Sequence, residues 1–312
     1  MEMVATAPAA LGPAEIGVWA ARAERLGFDT VHVSETIHDP FMVAAMALQA
    51  TTAITVRTSM VIAFPRSPMI TAYAAWDLAR LSGGRFQLGI ASQVRGNIVG
   101  RFSTAWSEPV ARLADYIRAL RAIFHAFQTG ERLDYVGTHY TFDTLQPYFN
   151  PGPLEHPAPS IWTGGVNVRM VTMAGELADG FVCHPTSSHP RILRGHTLPA
   201  LAGGSPRVIA NPQPVMAATR ARVRELTDAR RGELAFLYST PAYRRQLELI
   251  GVTDLGALEK LVPSGTYEEI PALLGQWYAG LCDGLTIAVP DGDDDALAAL
   301  VRRCREIPTL SP

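Results

Sequence analysis

Three polar side chains of this sequence fall where a β-rich segment gives way to a loop, and each can move a proton. Glu35 and His38 follow the segment Thr30–Ser34, and His184 ends the segment Gly180–His184. A carboxylate or an imidazole placed this way can act as a general acid or base on a bound molecule, with Glu35 the first candidate. The alternatives are structural: a Glu35 carboxylate bonded to backbone N–H groups of the next loop, and a His184 ring that only packs.

A glycine pair between a predicted strand and a predicted helix is a second candidate site. Thr163, Gly164, Gly165 and Val166 lead out of the segment Ser160–Thr163. Glycines at such a junction let main-chain N–H groups approach an anion, and the partial positive charge of the helix N-terminus adds to the attraction. The pair therefore predicts a phosphate site, and the alternative is that it only forms a tight turn.

Two arginines lie in the loop that follows the segment Arg85–Ala91. Arg95 and Arg101 come soon after Ser92 and Gln93 in a stretch that contains glycine and asparagine. A guanidinium binds carboxylates and phosphates through two parallel hydrogen bonds, so these side chains are candidates for holding an acidic ligand tail. Solvated or structural arginines are the alternative.

Several other classes of protein lack the residues that they need. Neither a His-Glu-x-x-His nor a Gly-x-Ser-x-Gly motif occurs, so no metal site and no serine hydrolase is expected. The chain carries 27 basic and 29 acidic residues, without the basic excess typical of nucleic-acid binding. Three scattered cysteines and no run of membrane-spanning length favour a cytoplasmic protein without a membrane partner.

The candidate sites need a scaffold, and short β-branched segments alternating with amphipathic helices predict one. The eight strand-like segments are Met3–Thr6, Thr30–Ser34, Thr55–Ala63, Arg85–Ala91, Ser160–Thr163, Gly180–His184, Arg207–Val215 and Gly284–Val289. Eight alternating units in 312 residues predict an α/β fold, a closed (β/α)8 TIM barrel that forms a single domain over 1–312. An open doubly wound sheet is the rival, but its glycine fingerprint is missing after the first segment.

Two insertions interrupt the regular alternation. The fourth helix carries apolar residues at spacings of three and four over Val110–Phe127, and Gly130 ends it. Arg132–Phe142, rich in tyrosine and threonine, then predicts a β-hairpin, and Ala217–Tyr278 predicts a mostly helical insertion before the last strand.

His32 takes the inward face of its strand and is expected to be a hydrogen-bonded core residue. Because barrel active sites lie at the carboxyl ends of the strands, the candidate residues are expected at one mouth.

Blocks of this sequence resemble the luciferase-like monooxygenase family. The residues that carry the resemblance are Arg25–Glu35, His38–Phe41, Thr58–Pro65, Ser67-Pro68, Leu81–Gly89, Ser92–Arg95, Arg101–Ser103, Trp106-Ser107, Arg118–Ile123, Gly175–Phe181 and His184. Those from Ser92 to Ile123 are similar to an actinobacterial branch that is usually assigned coenzyme F420, a deazaflavin. The match is dense from Arg25 to His184 and thin after Pro206.

The resemblance implies a (β/α)8 barrel and an oxidoreductase that transfers a hydride between the C5 atom of F420 and a carbon or imine of a small organic substrate. An FMN-dependent monooxygenase that uses reduced flavin and O₂ is the alternative, because both rings use the same cradle. A cofactor-binding barrel without turnover is a second alternative. A homodimer is expected by analogy with the family.

The resemblance also implies where the cofactor lies. Its ring would cover the end of the third strand, where the family often has a bulge with a non-prolyl cis peptide bond, here at Val61-Ile62 or Ile62-Ala63. The implied cofactor-binding residues are Val61, Ile62, Ala63, Ser92, Gln93, Arg95, Thr163, Gly164, Gly165 and Val166. Two positions depart from the family pattern: Thr36 replaces a histidine common near the ring in deazaflavin dehydrogenases, and Asn167 replaces a glycine in the phosphate turn.

Overall fold

A closed barrel of parallel strands forms the centre of the computed structural model, which describes residues 1–237, 241–251 and 261–310. The strands are β1 (Glu2–Thr6), β2 (Thr30–Val33), β3 (Thr55–Thr58), β4 (Val61–Ile62), β5 (Phe86–Ala91), β6 (Tyr135–Val136), β7 (Thr141–Phe142), β8 (Ile161–Thr163), β9 (Gly180–Val182), β10 (Arg207–Ala210), β11 (Val215–Ala217), β12 (Ser264–Thr266) and β13 (Gly284–Ile287). Around the barrel the order is β3, β2, β1, β13, β10, β9, β8 and β5, and β5 pairs with β3 to close the ring. β4 continues the position of β3, so eight strand positions confirm the predicted (β/α)8 fold.

Helices connect the strands and cover the outside of the barrel. They are α1 (Ile16–Arg25), α2 (Pro40–Gln49), α3 (Pro68–Ser82), α4 (Arg95–Gly100), α5 (Pro109–Thr129), α6 (Val168–Leu177), α7 (Pro190–Ile192), α8 (Leu198–Leu201), α9 (Arg220–Leu237), α10 (Pro241–Ile250), α11 (Ile270–Tyr278) and α12 (Asp294–Arg305). The predicted stripe of α5 is confirmed, since Leu113, Ile117 and Leu120 are buried. No helix within the described ranges combines the length and the apolar character needed to cross a membrane.

The predicted hairpin insertion is present and is held against α5 by one carboxylate. β6 and β7 pair antiparallel, with Tyr135 opposite Phe142. Asp115, buried on α5, accepts hydrogen bonds from the hydroxyl of Tyr135 and from the main-chain N–H groups of His139 (2.5 Å) and Tyr140 (3.1 Å). The insertion is therefore fixed to the barrel wall on the side of α5.

The seventh predicted strand, Arg207–Val215, is shorter in the structure than the sequence indicates. It ends at Ala210, because Pro212 and Pro214 have no N–H group to continue the ladder. Val215 instead begins β11, which pairs in parallel with β12 outside the barrel. The predicted helical insertion Ala217–Tyr278 therefore also contains a strand, and its residues 238–240 and 252–260 lie outside the described residues.

A layer of polar side chains fills the barrel interior below the mouth. The buried guanidinium of Arg57 donates hydrogen bonds to His32 Nε2 (2.9 Å), Glu2 (3.0 Å) and Gln87 (2.6 Å). It also lies 3.5 Å from the ring centroid of Trp162. Burial holds the pKa of the His32 imidazole well below its usual range. The expectation of a hydrogen-bonded core histidine is confirmed.

Candidate functional site

A cavity of about 490 Å³ opens at the carboxyl ends of the barrel strands. Its walls come from the residues that follow β3, β5, β8, β9 and β10. The lining residues used below are Ser59, Met60, Ser92, Gln93, Arg95, Trp106, Gly164, Gly165, Val166, Asn167, His184 and Asn211. The volume falls within the roughly 300–1,000 Å³ of small-molecule and cofactor sites, so this mouth is the candidate active site.

One wall of the cavity is a bulge that separates β3 from β4. The peptide bond between Ser59 and Met60 is cis, two residues before the positions that the resemblance implies, which corrects that expectation. Val61, Ile62 and Ala63 are buried outside the cavity lining, where Ser59 and Met60 stand in their place. The sequence predicts one continuous strand over Thr55–Ala63, so it does not predict the break between β3 and β4.

The bulge is fixed by the strands on both sides of it. The hydroxyl of Thr58 donates to the carbonyl of Gly89 (3.0 Å) and accepts from the N–H of the same residue (2.9 Å). A Cβ at Gly89 would lie 1.9 Å from the Thr58 carbonyl oxygen, so only glycine permits this approach. On the other side, Ser34 Oγ donates to the Ser59 carbonyl at 2.9 Å, and the Ser59 N–H donates to Val33.

The glycine pair forms a second part of the cavity wall. A Cβ at Gly164 would lie 2.7 Å from the Val182 carbonyl oxygen, and one at Gly165 would lie 2.5 Å from Met170 Cγ. Close packing therefore requires a glycine at both positions. This agrees with the alternative interpretation, in which the pair only forms a tight turn. Within the described residues, the N–H groups of Gly165 and Val166 have no hydrogen-bond partner, and α6 begins directly after them. The arrangement can therefore also accept an anion.

Two residues next to the glycine pair lie where they support the turn. Thr163 is buried, and its hydroxyl donates to the Ile90 carbonyl at 2.9 Å, so it joins two strands outside the cavity lining. Asn167 has a negative φ of −93° and caps α6, with its side chain accepting from the Met170 N–H at 3.0 Å. The replacement of glycine at position 167 thus needs no left-handed backbone and preserves the start of the helix.

The loop after β5 brings three predicted residues to the cavity. Ser92 Oγ donates to the Gln93 carbonyl, and Gln93 takes a left-handed φ of 59° while its side chain accepts from the Val94 N–H. Arg95 begins α4, is exposed at the cavity edge, and makes no ion pair with a described residue. Arg101 lies elsewhere, because its guanidinium donates to the Thr36 carbonyl.

His184 is the one predicted proton carrier that lines the cavity. Its Nδ1 accepts from the Thr186 N–H (3.3 Å) and lies 2.8 Å from the Thr186 hydroxyl. Burial lowers the pKa of the imidazole to about 4, so the ring is neutral at pH 7. Since a backbone N–H can only donate, the proton of the neutral ring lies on Nε2. His184 therefore lines the cavity with its Nδ1 engaged by Thr186, and it is not placed to act as a base through Nδ1.

Glu35 and His38 lie outside the cavity lining. The Glu35 carboxylate is almost fully buried and accepts from the Ile62 N–H (2.7 Å) and from Arg66 Nη1 (2.9 Å to each oxygen). Glu35 thus has a structural role, but its partners are a β4 N–H and an arginine instead of the expected N–H groups of the next loop. The His38 ring packs against Gly12, where a Cβ would lie 3.1 Å from its Nε2. The structure thus assembles His184 with the loop residues and leaves Glu35 and His38 apart.

Among the lining residues, Ser59, Met60, Trp106 and Asn211 were not selected from the sequence. The third predicted strand runs on through Ser59 and Met60, and the seventh runs on through Asn211 to Val215. Pro212 was the signal that could have ended that strand one residue after Ala210. Trp106, whose ring packs edge-on against Phe64 at 5.8 Å, gives no sequence signal of its place in the site.

Comparison with known proteins places this barrel in a family. Residues 3–263 match the model of the luciferase-like monooxygenases, and the chain belongs to that family. An uncharacterized protein of Mycobacterium tuberculosis is 37% identical over 294 residues, which cover 91% of this chain and 85% of the relative. The F420-dependent glucose-6-phosphate dehydrogenase of Intrasporangium calvum is 31% identical over 213 residues, 63% of this chain and 61% of that protein.

Solved structures of similar shape include users of both cofactors. An F420-dependent secondary alcohol dehydrogenase, solved with an F420-acetone adduct, superposes with a TM-score of 0.77 at 17% identity over 98% of this chain and 99% of that one. The oxygenating constituent of 3,6-diketocamphane monooxygenase from Pseudomonas putida, solved with FMN, gives 0.74 at 18% identity over the whole of both chains. The family, the barrel and the class, an oxidoreductase of the luciferase-like family, are confirmed.

Proposed function

We propose that this chain binds the deazaflavin coenzyme F420 in the 490 Å³ cavity and transfers a hydride between that cofactor and a small organic molecule. The observation that carries the proposal is the pair of N–H groups at Gly165 and Val166, which have no partner among the described residues. Both residues line this cavity just before Asn167, the N-cap of α6. Oriented N–H groups at a helix N-terminus suit a phosphate. The 31% identity to an F420-dependent dehydrogenase supports the choice of cofactor.

The residues present fit such a group. Gly164, Gly165 and Val166 bring main chain to the surface of the cavity, Ser59 and Met60 of the bulge line the same space, and Arg95 gives the edge a positive charge. An acidic cofactor tail would be attracted to that edge. Ser92 and Gln93 border the same space.

The chain itself would bind, orient and shield the reactants. The cofactor, when bound, supplies the hydride chemistry at its ring carbon C5. Thr58 and Gly89 hold the bulge in one position, and His184 lines the cavity with a ring that is neutral at pH 7. Glu35 acts in this proposal as a positioning residue, because its carboxylate fixes the Ile62 N–H next to the bulge.

Cofactor titrations test the proposal. The purified apoprotein is titrated with F420 and with FMN, each oxidised and reduced, and each dissociation constant is measured by cofactor fluorescence or calorimetry. We expect F420 to bind in the micromolar range or more tightly. Arg95→Gln should weaken F420 binding by about tenfold, the loss of about 1.4 kcal/mol expected for one hydrogen bond to a charged group. Arg302→Gln, an exposed substitution on α12, is the matched control and should leave it unchanged.

The FMN-dependent monooxygenase is the second candidate, because a barrel of this shape holds FMN in the diketocamphane enzyme. Submicromolar FMN binding together with no F420 binding would replace the proposal by this candidate. Oxygen consumption with reduced FMN then distinguishes a monooxygenase from a barrel that stores the cofactor. Binding of neither cofactor would overturn both.

A further inference from the structure

A second cavity lies beside the first at the barrel mouth. It has a volume of about 560 Å³ and lies between the ends of β1, β2 and β13 on one side and α9 with β11 on the other. Asn211, directly after β10, lines both cavities. A molecule in the second cavity would therefore lie next to a cofactor in the first.

The lining of the second cavity is mostly apolar. Side chains such as Met216, Leu226 and Val289 cover much of it. Among the described lining residues, only Arg230 and Glu233 are ionisable, and they form an ion pair of 2.6 Å with each other on α9. Arg230 also donates to Gln213, and its buried Nε–H has no partner among the described residues, so a neutral ligand oxygen can accept there without disturbing the ion pair. Burial of its surface favours a ligand that is otherwise apolar.

The polar groups near the junction of the two cavities are hydroxyls and amides. Thr36 Oγ1 donates to the Ala9 carbonyl, and Ser34 Oγ donates to the Ser59 carbonyl. Oxidation of an alcohol needs a base to accept the hydroxyl proton. In the described part of this lining, Glu233 is the one carboxylate, and it is engaged with Arg230. A carbonyl ligand needs only a hydrogen-bond donor in order to bind. When it is reduced, the hydride adds to the carbonyl carbon, the C=O double bond becomes a C–O single bond, and the oxygen takes a proton from water.

Asn211 supplies such a donor in a fixed orientation. The hydroxyl of Thr286 donates to Asn211 Oδ1 at 2.5 Å, and the Asn211 N–H donates to Ser188 Oγ at 2.8 Å. Ser188 in turn donates to the carbonyl of His184. With Oδ1 engaged, the amide presents Nδ2 and its two protons, which make no hydrogen bond to a described residue. This amide is the donor shared by the two cavities.

We infer that the second cavity binds the substrate and that the substrate is a neutral, largely apolar carbonyl compound whose oxygen accepts a hydrogen bond from Asn211 Nδ2. The inference rests on the proposed function for its reaction, but the binding site stands on the geometry alone. Asn211 is in this assignment a positioning and specificity residue, and Thr286 orients it. The carbonyl, rather than the alcohol, is the form that this lining suits.

Two probes of nearly the same shape, which differ in a methyl group against a carboxylate oxygen, test the inference. The full chain, with and without saturating F420, is titrated with 4-phenyl-3-buten-2-one, a neutral ketone, and with trans-cinnamate, its carboxylate counterpart, by ligand-observed NMR. We expect the ketone to bind at least tenfold more tightly than the carboxylate. Asn211→Asp, which replaces the donor by an acceptor, should weaken ketone binding at least tenfold, and Asn97→Asp on α4, outside both linings, should not.

Further variants locate the probe and guard against misfolding. Ala288→Trp fills the second cavity from the end of β13 and should abolish ketone binding while F420 still binds. If Asn211→Asp fails to fold, Thr286→Val takes its place in the test. It removes the hydroxyl that orients the amide and should weaken ketone binding several-fold. Equal binding of cinnamate, or ketone binding unchanged in Asn211→Asp or in Ala288→Trp, would overturn the inference. Ketone binding without F420 binding would instead refute the proposed cofactor and leave the second site standing.

Discussion

Arg66 Nη1 donates to both carboxylate oxygens of Glu35 at 2.9 Å, and the Glu35 side chain is only 6% exposed. The same carboxylate accepts the N–H of Ile62, at the start of the segment that follows the bulge. The pair therefore joins the loop after β2 to the end of β4. Its position makes it a support of the cavity wall.

Removal of the Glu35 charge is expected to destabilise the protein. Glu35→Gln should lower the free energy of unfolding by about 2–3 kcal/mol, since it leaves the Arg66 charge with only Asp39 at 3.2 Å. Urea denaturation measures the change. Glu131→Gln, which removes a carboxylate from an exposed pair with His125, should cost less than about 0.5 kcal/mol. If Glu35→Gln were as stable as the parent chain but had lost turnover, Glu35 would again be the candidate for the proton carrier.

Loss of the Thr58 hydroxyl is expected to release the bulge. Thr58→Val removes the partner of both the N–H and the carbonyl of Gly89, two buried groups that each cost about 1–3 kcal/mol when left unsatisfied. We expect a loss of about 2–4 kcal/mol in unfolding free energy and weaker F420 binding. Thr58→Ser keeps the hydroxyl and should cost about 1 kcal/mol or less. Equal losses in the two variants would show that the hydroxyl does not hold the bulge.

The barrel could be predicted because it depends on local pattern. The stripe of α5 and the β-branched segments Thr30–Ser34 and Gly284–Val289 follow from periodicity within a few turns of chain. The pairing of β11 with β12 could not be predicted, because 46 residues separate its two short strands and neither has a distinctive pattern. Non-local pairing of this kind overrides local propensity.

The site was predictable only in part, for a similar reason. The glycine pair and Arg95 follow strand ends that the sequence marks clearly. The bulge between Thr58 and Val61 is not marked, since it depends on the approach of Gly89 and on the hydroxyl of Ser34, both far away along the chain. The contacts of Glu35 depend likewise on Arg66, a residue that no strand-end rule selects.

Added methyl groups at the glycine pair should have graded effects. Gly164→Ala places its Cβ against the main chain of β9, which cannot move alone, and we expect a loss of about 2–3 kcal/mol in unfolding free energy. Gly165→Ala meets Cγ and Cβ of Met170, at the base of a buried side chain, so α6 must shift and the cost should be about 1–3 kcal/mol. Gly232→Ala in α9, where the space is open, should stabilise the protein by about 0.5–1 kcal/mol. Thermal denaturation gives this ranking directly.

The same three variants separate packing from cofactor binding. Each keeps its backbone N–H group, so any change in F420 affinity reflects displacement of the loop rather than loss of a donor. We expect Gly164→Ala to weaken F420 binding most and Gly232→Ala to leave it unchanged. Unchanged binding in Gly164→Ala, with stability reduced as expected, would place the cofactor phosphate somewhere other than this turn.

Stability should fall in acid because His184 is buried in its neutral form. Its pKa is about 4 in the folded chain against 6.5 for an ordinary histidine, so the unfolded chain binds the additional proton first as the pH falls. The stabilisation is complete above about pH 6.5, is lost progressively towards pH 4, and amounts to about 3 kcal/mol in total. His32, whose pKa is also lowered by burial, adds to the same slope.

His184→Asn isolates this contribution, since the amide oxygen can still accept the Thr186 N–H but does not titrate. We expect the variant to lose markedly less unfolding free energy than the parent chain between pH 6.5 and pH 4, as measured by urea denaturation at each pH. His125→Asn, at a histidine that is 61% exposed, is the matched control and should follow the parent curve. Parallel curves for His184→Asn and the parent would mean that His184 is already solvated and protonates as freely in the folded chain as in the unfolded one.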